Sequence, residues 1–305
     1  MKRFRLYALA GTLLAGFAFA DAAGAQDTLQ KIRDTGVVKI GHRDASIPLS
    51  YLDDRQRPVG YAIDICMKVV DAIKKEVKMP NLKVEFVPVT SQTRIPILTG
   101  GNIDIECGST TNSVERQKQV AFAPTYFMTG TKIIVKKSSG IRSYDDLKGK
   151  TVVFTSGTTN ERAMKAYSDA KKLGIKFIPS KDHAESFLAV ETGRAVAFPM
   201  DDVLLYGLRA NARNPADYDI IGPFLSDDPY AIMTRKGDAR FKKLVDGAVI
   251  ALYKSGEINK IYSKWFESPI PPKGINLKMP MSDQLKSLIK NPSDQGVGPC
   301  GRMKC

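Results

Sequence analysis

A regular alternation of strand patterns and helix patterns, running from residue 37 to residue 266, is the feature that most constrains the fold of this chain. Short apolar stretches such as residues 37–40 and 151–155 alternate with longer stretches, such as residues 63–75 and 159–172, whose apolar side chains recur at helical spacing. This alternation predicts an α/β protein in which helices cover both faces of parallel sheets. The other predicted strands are residues 84–89, 103–106, 132–135, 176–178, 195–198 and 230–234, and the other predicted helices are residues 93–99, 145–147, 184–191, 201–210, 241–255 and 258–266.

Length and composition narrow the class of protein further. At about 150 residues per domain, 305 residues predict two domains rather than one. Hydrophobic residues at 43% and charged residues at 26% argue against a disordered, collagenous or polytopic membrane chain. The net charge is +14, but basic residues never run longer than two and acidic residues are interleaved with them. We therefore expect general attraction of anions rather than binding of nucleic acid.

The first 25 residues have the pattern of a secretory signal peptide. Lys2, Arg3 and Arg5 precede an apolar run over residues 6–20, and residues 23–25 form an Ala-Gly-Ala cleavage site. The apolar run is shorter than the roughly twenty residues that a membrane-spanning helix needs. Cleavage after residue 25 would remove three basic residues and one acidic residue, which leaves a net charge of +12. We therefore expect an exported cationic protein.

The four cysteines are too few for a disulfide scaffold. Cys300 and Cys305 lie in a Gly- and Pro-containing tail, where they either pair in an oxidising compartment or stay free thiols. Cys66 and Cys107 lie in apolar patterns and are predicted to be small buried residues, with a bridge between them left open. With two histidines in the chain and no CxxC motif, we predict no metal site and no cofactor.

Polar side chains follow six of the predicted strands, which is where α/β proteins bind their ligands. At the first place, Arg43 is either a solvated loop residue or a ligand contact. At the second, Arg94 lies in the first turn of a helix, where a cation opposes the helix dipole unless it has an anionic partner. Gly108 would let a ligand approach the backbone beside several hydroxyls. The six places are residues 41–43, 90–94, 107–111 with Arg116 beyond, 156–159, 182–183 and 201–202.

The other three places also have plain alternatives. Thr158 and Thr159 form a helix start that either holds a carboxylate or serves as an ordinary cap. His183 follows Asp182 as either a capping or surface residue or a ligand contact, and Asp201 and Asp202 either bind a ligand or merely cap the next helix. Together the six places supply three arginines, a histidine, several hydroxyls and one acidic pair. This set of groups fits a small dianion that carries one ammonium group.

In their order and amino-acid sequence, these segments resemble those of the periplasmic amino-acid-binding proteins of ABC transporters, the polar amino-acid solute-binding family. Within that family they most resemble the binders of glutamate and aspartate. The resemblance covers about residues 28–290 and depends on long motifs in a fixed order. One departure is Ala62, which stands where many relatives carry an acidic residue. The matching segments are residues 41–43 with Pro48 and Tyr51, 60–61, 90–96, 106–111, 114–116, 154–159, 181–183, 193–198, 201–202, 264–266 and 269–272.

The resemblance implies a role for each candidate side chain. Arg94 would clamp the α-carboxylate of the ligand, and Asp201 would take the α-ammonium. Arg43 and His183 would serve chiefly the side-chain carboxylate, and if His183 is protonated there, binding should weaken as the pH rises past about 6.5. The remaining implied contacts are Ser91, Ser109, Thr111, Arg116, Thr158 and Thr159.

The resemblance also implies two α/β lobes that close on the ligand. Lobe one would comprise residues 28–132 and 231–290, lobe two residues 138–226, and the strands that cross between them residues 132–137 and 222–230; residues 291–305 would form a loose tail. The implied function is capture of L-glutamate or L-aspartate in the periplasm by a monomer that delivers it to an ABC permease. The alternatives are a sensor partner for a membrane kinase or chemoreceptor, and a dehydratase with His183 or Asp201 as its acid or base.

Overall fold

Two five-stranded sheets joined by a two-stranded ribbon organise the chain in the computed structural model, which describes residues 27–298. The predicted signal peptide, Cys300 and Cys305 lie outside the described residues. The strands are β1 (Val37–His42), β2 (Ala45–Ser46), β3 (Ser50–Leu52), β4 (Pro58–Val59), β5 (Lys83–Pro88), β6 (Ile105–Glu106), β7 (Val120–Phe122), β8 (Phe127–Thr129), β9 (Thr131–Lys136), β10 (Thr151–Thr155), β11 (Lys176–Ser180), β12 (Ala197–Asp201), β13 (Tyr218–Ile221), β14 (Asp228–Tyr230) and β15 (Met233–Arg235). The α-helices are α1 (Thr28–Thr35), α2 (Tyr61–Val77), α3 (Arg94–Thr99), α4 (Thr159–Ala170), α5 (His183–Glu191), α6 (Asp202–Asn211), α7 (Ala239–Ser255), α8 (Glu257–Phe266) and α9 (Asp283–Lys290).

Each large sheet has a parallel part and an antiparallel part. The first sheet has the order β5-β1-β6-β15-β7, with β1 parallel to β5 and β6 and with β15 antiparallel to both of its neighbours. The second sheet has the order β11-β10-β12-β9-β13, with β10 parallel to β11 and β12 and with β9 antiparallel to β12 and β13. The α/β class predicted from the sequence is confirmed, whereas the expectation of wholly parallel sheets is wrong, because the strands next to the crossings run the other way.

The crossings between the sheets are the two strands of the ribbon, β8 and β14, which pair antiparallel. The first crossing therefore lies several residues before the predicted one at residues 132–137. Those residues belong to β9, whose Ile133, Ile134 and Val135 are completely buried because β9 is an inner strand of the second sheet. We refer to residues 28–126 and 231–266 as the first lobe and to residues 130–227 as the second lobe.

Several of the helices begin at short polar caps. The side chains of Asp27, Thr158, Asp182 and Asp238 each accept a hydrogen bond from a backbone N–H in the first turn of α1, α4, α5 and α7. In the first lobe α2 packs against α7 and α8, and in the second lobe α4, α5 and α6 pack on the sheet. Helices α4 and α5 follow β10 and β11, and their first residues contact the first lobe, Thr159 at Thr111 and His183 at Arg43.

The two cysteines within the described residues form a disulfide. Cys66 in α2 is bonded to Cys107, which directly follows β6, and both are completely buried. Their burial agrees with the prediction from the sequence, and the bridge that the sequence left open is present. The disulfide ties the loop after β6, which carries Ser109 and Thr111, to the helix packed beneath it.

The C-terminal part of the described chain packs against both the ribbon and the first lobe. Helix α9, which the sequence patterns did not predict, buries Leu285 and lies against β8. Beyond it, the backbone of Val297 bridges Ser113 in the first lobe. Among the helices of residues 27–298, none is long and apolar enough to cross a membrane.

Candidate functional site

A small polar cavity lies between the lobes, at the carboxyl ends of β6, β10 and β12. It measures about 10 Å³, which is the space of about one water molecule and far less than an amino acid occupies. The two lobes are thus closed on each other in this structure. Residues from both lobes line the cavity: Ser91, Arg94, Ser109, Thr111, Thr158, Thr159, Asn160, His183, Met200, Asp201 and Leu204.

The structure brings the ten candidate residues of the sequence analysis together. Eight of them line the cavity, and the other two, Arg43 and Arg116, contact lining residues. Arg43 is 2% exposed and His183 is 2% exposed, so neither is the solvated or surface residue that the plain alternatives describe. Thr158 does cap α4, as its plain alternative predicts, but it lines the cavity as well.

Arg94 is the first residue of α3 and is almost completely buried. One of its terminal nitrogens, Nη1, donates to the carbonyl oxygen of Ser109 at 3.2 Å. Its Nε has no hydrogen-bond partner within the described part of the chain, and the same holds for the Oγ of Ser91. Two buried polar groups at one wall of a cavity therefore have hydrogen-bonding capacity to spare, which native proteins seldom leave unused.

Arg43 and His183 connect the lobes on another side of the cavity. Nη2 of Arg43 lies 3.4 Å from Nε2 of His183, and Nη1 of Arg43 donates to Oγ of Ser109. Because a guanidinium can only donate, Nε2 of His183 is the acceptor, and the ring proton sits on Nδ1, which lies 3.0 Å from the Thr155 hydroxyl. Burial, followed by the charges of Arg43 and Arg94, lowers the pKa of His183 well below 6.5. In the closed protein without an anionic ligand, this lowered pKa favours the neutral form of His183.

Arg116 makes a second connection between the lobes. Its Nη1 donates to the carbonyl oxygen of Thr111 at 2.9 Å, and its Nη2 donates to that of Gly157 at 3.2 Å. Gly157 has φ +81°, and a Cβ atom there would come within 2.8 Å of the Cα of Gln92 in the first lobe. A glycine is required at this position because the loops of the two lobes approach so closely.

The three arginines form an unusually unfavourable cluster of buried cations. Burial first, and then the charge of Arg94, lowers the pKa of Arg43 to about 10 and that of Arg116 to about 9. Burial lowers the pKa of Arg94 as well, against the attraction of Glu106. None of the three forms a salt bridge with a carboxylate of residues 27–298. Such a cluster is costly in a closed protein and is suited to an anion that neutralises it.

Asp201 and Asp202, adjacent in sequence, point into different cavities. Asp201 lines the small cavity, where it accepts hydrogen bonds from Nδ2 of Asn160 at 2.9 Å and from the hydroxyl of Tyr230. Asp202 accepts a hydrogen bond from Thr129 and lines a separate cavity of about 480 Å³. Burial, followed by the charge of Asp228, raises the pKa of Asp201 well above 3.8. A cation brought next to Asp201 would favour its ionised form.

Among the residues 27–298, no group of three or more histidine, cysteine or acidic side chains is arranged to hold a metal ion. The functional groups of the cavity are therefore hydrogen-bond donors, cations and one carboxylate. These groups can bind and orient a small charged molecule.

Comparisons with known proteins identify the family of this chain. A sequence profile of the bacterial extracellular solute-binding proteins, family 3, matches residues 38–268. The chain belongs to this family. It is 55% identical to the L-glutamate/L-aspartate-binding protein of Pseudomonas aeruginosa, over 88% of this chain and 90% of that protein. It is 47% identical to the glutamate/aspartate import solute-binding protein of Escherichia coli K12, over 95% of this chain and 96% of that protein.

Solved structures give the same result for the fold. A variant of the arginine-binding protein ArgBP from T. maritima superposes with a TM-score of 0.70 at 28% identity, over 78% of this chain and 99% of that one. The two-lobed fold expected from the resemblance is thereby confirmed. The two glutamate/aspartate relatives described above are binding proteins, and this solute-binding protein is likewise not an enzyme.

Sequence reasoning missed two polar side chains at the candidate site. Asp228 of β14 is buried, and its Oδ1 accepts hydrogen bonds from Thr111 of the first lobe and Thr159 of the second, both at 2.9 Å. Asn160 holds the Asp201 carboxylate. Asp228 lies in a Ser-Asp-Asp-Pro stretch that looks like an ordinary turn, so no local signal separates it from a surface residue. Asn160 directly follows the Thr158–Thr159 motif and could have been included with it.

Proposed function

We propose that this chain captures L-glutamate and L-aspartate between its two lobes and delivers them, as a periplasmic monomer, to an ABC transporter permease. The observation that carries the proposal is the cluster of Arg43, Arg94 and Arg116, which is buried between the lobes without a salt-bridge partner in the described chain. A dianionic amino acid supplies the missing negative charge. The names of the relatives described above support the same ligands.

The geometry supports one orientation of the ligand. The α-carboxylate would meet Arg94 and Ser91, two residues that line the cavity and whose Nε and Oγ have no partner in the described chain. The α-ammonium would meet Asp201, the carboxylate that lines the cavity. The side-chain carboxylate would then lie towards Arg43 and His183, with Arg116 adding a further positive charge. Thr111, Thr158, Thr159 and Ser109 would complete the contacts with hydroxyl or amide groups.

Capture requires the lobes to separate. A cavity of about 10 Å³ cannot admit glutamate, and the lobes are connected across it by the pairs Arg43–His183 and Arg116–Gly157. We propose that the lobes rotate about the ribbon of β8 and β14 and that the ligand favours the closed arrangement through contacts to both lobes. The closed shape is what a permease would recognise. We also propose that residues 1–25 direct export and are removed.

A calorimetric titration of the mature protein with all twenty amino acids tests the function. We expect binding of glutamate and aspartate, and binding of glutamine and asparagine weaker by roughly 10² or more, because a neutral amide leaves a buried cation unpaired. Arginine should bind at least as poorly, since it adds a cation to the cluster. Equal affinity for glutamate and glutamine would refute the assignment of an acidic ligand. Mass spectrometry of the exported protein would locate the cleavage site.

A further inference from the structure

The segment of residues 293–297 lies against the loop that carries Thr111 and Arg116. Val297 N–H donates to the carbonyl oxygen of Asn112, and Val114 N–H donates to that of Val297, both at 3.0 Å. Two side chains, Nδ2 of Asn112 and Nε2 of Gln117, donate to the carbonyl oxygen of Asp294 at 2.8 Å. Asn112 is completely buried, so its amide depends on these partners.

The opposite edge of the same loop is held by the crossing strand. Asn112 N–H donates to the carbonyl oxygen of Pro229 at 2.7 Å, and Thr111 bridges Tyr230. The loop is therefore fixed between β14 on one edge and the C-terminal segment on the other. Within it, the guanidinium of Arg116 donates to the Thr111 carbonyl at 2.9 Å, so a shift of the loop would move both side chains.

Gly296 shows how close the C-terminal segment comes. A Cβ atom at this position would lie 2.8 Å from the backbone carbon of Ser113 and 2.8 Å from the backbone nitrogen of Val114. These are backbone atoms, which cannot rotate away as a flexible side chain could. Gly298, two residues further on, has no neighbouring atom within 4 Å of the place that a Cβ would take and so offers a control. Any side chain at residue 296 must push the segment off the loop.

We propose that residues 293–297 are positioning residues for the ligand site, which act by holding Thr111 and Arg116 where the closed protein needs them. This inference builds on the proposed function, because it assumes that the ligand binds beside that loop. It goes beyond the proposed function because it makes the chain beyond α9 necessary for full ligand affinity. Removing it should weaken ligand binding while the two sheets stay folded.

Matched pairs of variants of the mature protein test the proposal. Deletion of residues 292–305 is compared with deletion of residues 299–305, and Gly296→Ala is compared with Gly298→Ala. We expect the first member of each pair to weaken L-glutamate binding about tenfold, the size usual for lost support of a ligand contact, and the second member to bind like the wild type. Circular dichroism checks that each variant is folded. If the longer deletion does not fold, the two glycine variants still decide the question.

A double-mutant cycle separates positioning from general stabilisation. In an Arg116→Lys background, Gly296→Ala should cost much less affinity than in the wild type, because the side chain that it displaces has already been changed. An equal loss in both backgrounds, or wild-type affinity in Gly296→Ala, would overturn the proposal. Amide hydrogen exchange of Val114 gives a readout without ligand, and it should speed up in the longer deletion and not in the shorter one. If the wild type binds neither glutamate nor aspartate, the proposed function is wrong. The amide hydrogen exchange of Val114 then tests whether the C-terminal segment positions the loop.

Discussion

Replacement of Arg94 by methionine should weaken ligand binding and stabilise the ligand-free protein at the same time. The binding loss follows from the proposed contact with the α-carboxylate, which every amino acid carries. Removing one partner of a desolvated charged pair costs about 2–5 kcal/mol, or roughly 30-fold to several-thousand-fold in affinity. Glutamate, aspartate and any weaker ligand should therefore lose affinity together.

The stability gain follows from the state of Arg94 in the closed arrangement without ligand. The buried guanidinium makes one hydrogen bond, to the Ser109 carbonyl, and its charge lowers the pKa of Arg43 and of Arg116. Neutral pH lies below even the lowered pKa of Arg94, so its guanidinium stays charged in the folded state. The free energy of unfolding is therefore reduced by the full cost of burying that charge. Replacing a buried ion pair by apolar side chains of similar volume is often stabilising by about 1–4 kcal/mol, and a buried cation without a salt-bridge partner loses less attraction when it is replaced. At about 2–4 °C per kcal/mol, the melting temperature should rise by several degrees.

Arg235 provides the matched control. It is also buried, but it forms a salt bridge with Asp104 at 3.2 Å and donates to the Ile103 carbonyl and to Thr28. Arg235→Met should destabilise the protein by about 3–5 kcal/mol and leave ligand affinity unchanged. The assay is thermal unfolding of protein stripped of bound amino acids by denaturation and refolding, followed by calorimetric titration. If Arg94→Met is destabilised by more than about 1 kcal/mol, the view of Arg94 as an uncompensated cation is wrong.

Two further predictions concern the titratable residues of the cavity. His183→Ala should reduce the preference for glutamate over glutamine. Because the lowered pKa keeps His183 neutral, the glutamate affinity of the wild type should not change between pH 6 and 8. A pH dependence of affinity that disappears in the variant would show that the histidine becomes charged on binding. The unfolded state takes up this proton below pH 6.5 and the folded state does not, so acidification should cost the wild type more stability than the variant. Asp201→Asn should weaken glutamate binding by about 30-fold or more. Because the pKa of Asp201 is raised in the folded state, wild-type stability should fall as the pH rises from 3.8 towards that folded pKa. Glutamate affinity should weaken as the pH falls below the folded pKa, since Asp201 then loses its charge. Both trends should vanish in Asp201→Asn, and titrations of melting temperature and binding against pH check them.

Local patterns in the sequence were sufficient to predict the α/β class and most of the elements. Buried strands such as β1 and β10 appear as short apolar runs, and caps such as Asp182 mark the helix that follows. These signals are local because hydrophobic spacing and capping depend on residues a few positions apart. The candidate residues at strand ends were found for the same reason, since the end of a strand and the start of a helix are visible in the sequence.

Tertiary structure alone decided which of these groups meet and in what state of charge. The position of the first crossing depends on β9 pairing with β12 and β13, and the role of Asp228 depends on hydroxyls more than sixty residues away in the chain. The neutral form of His183 follows from burial beside arginines of the other lobe. Strand pairing, burial and the charges around a residue arise when distant chain segments come together, so the spacing of residues within one segment cannot predict them.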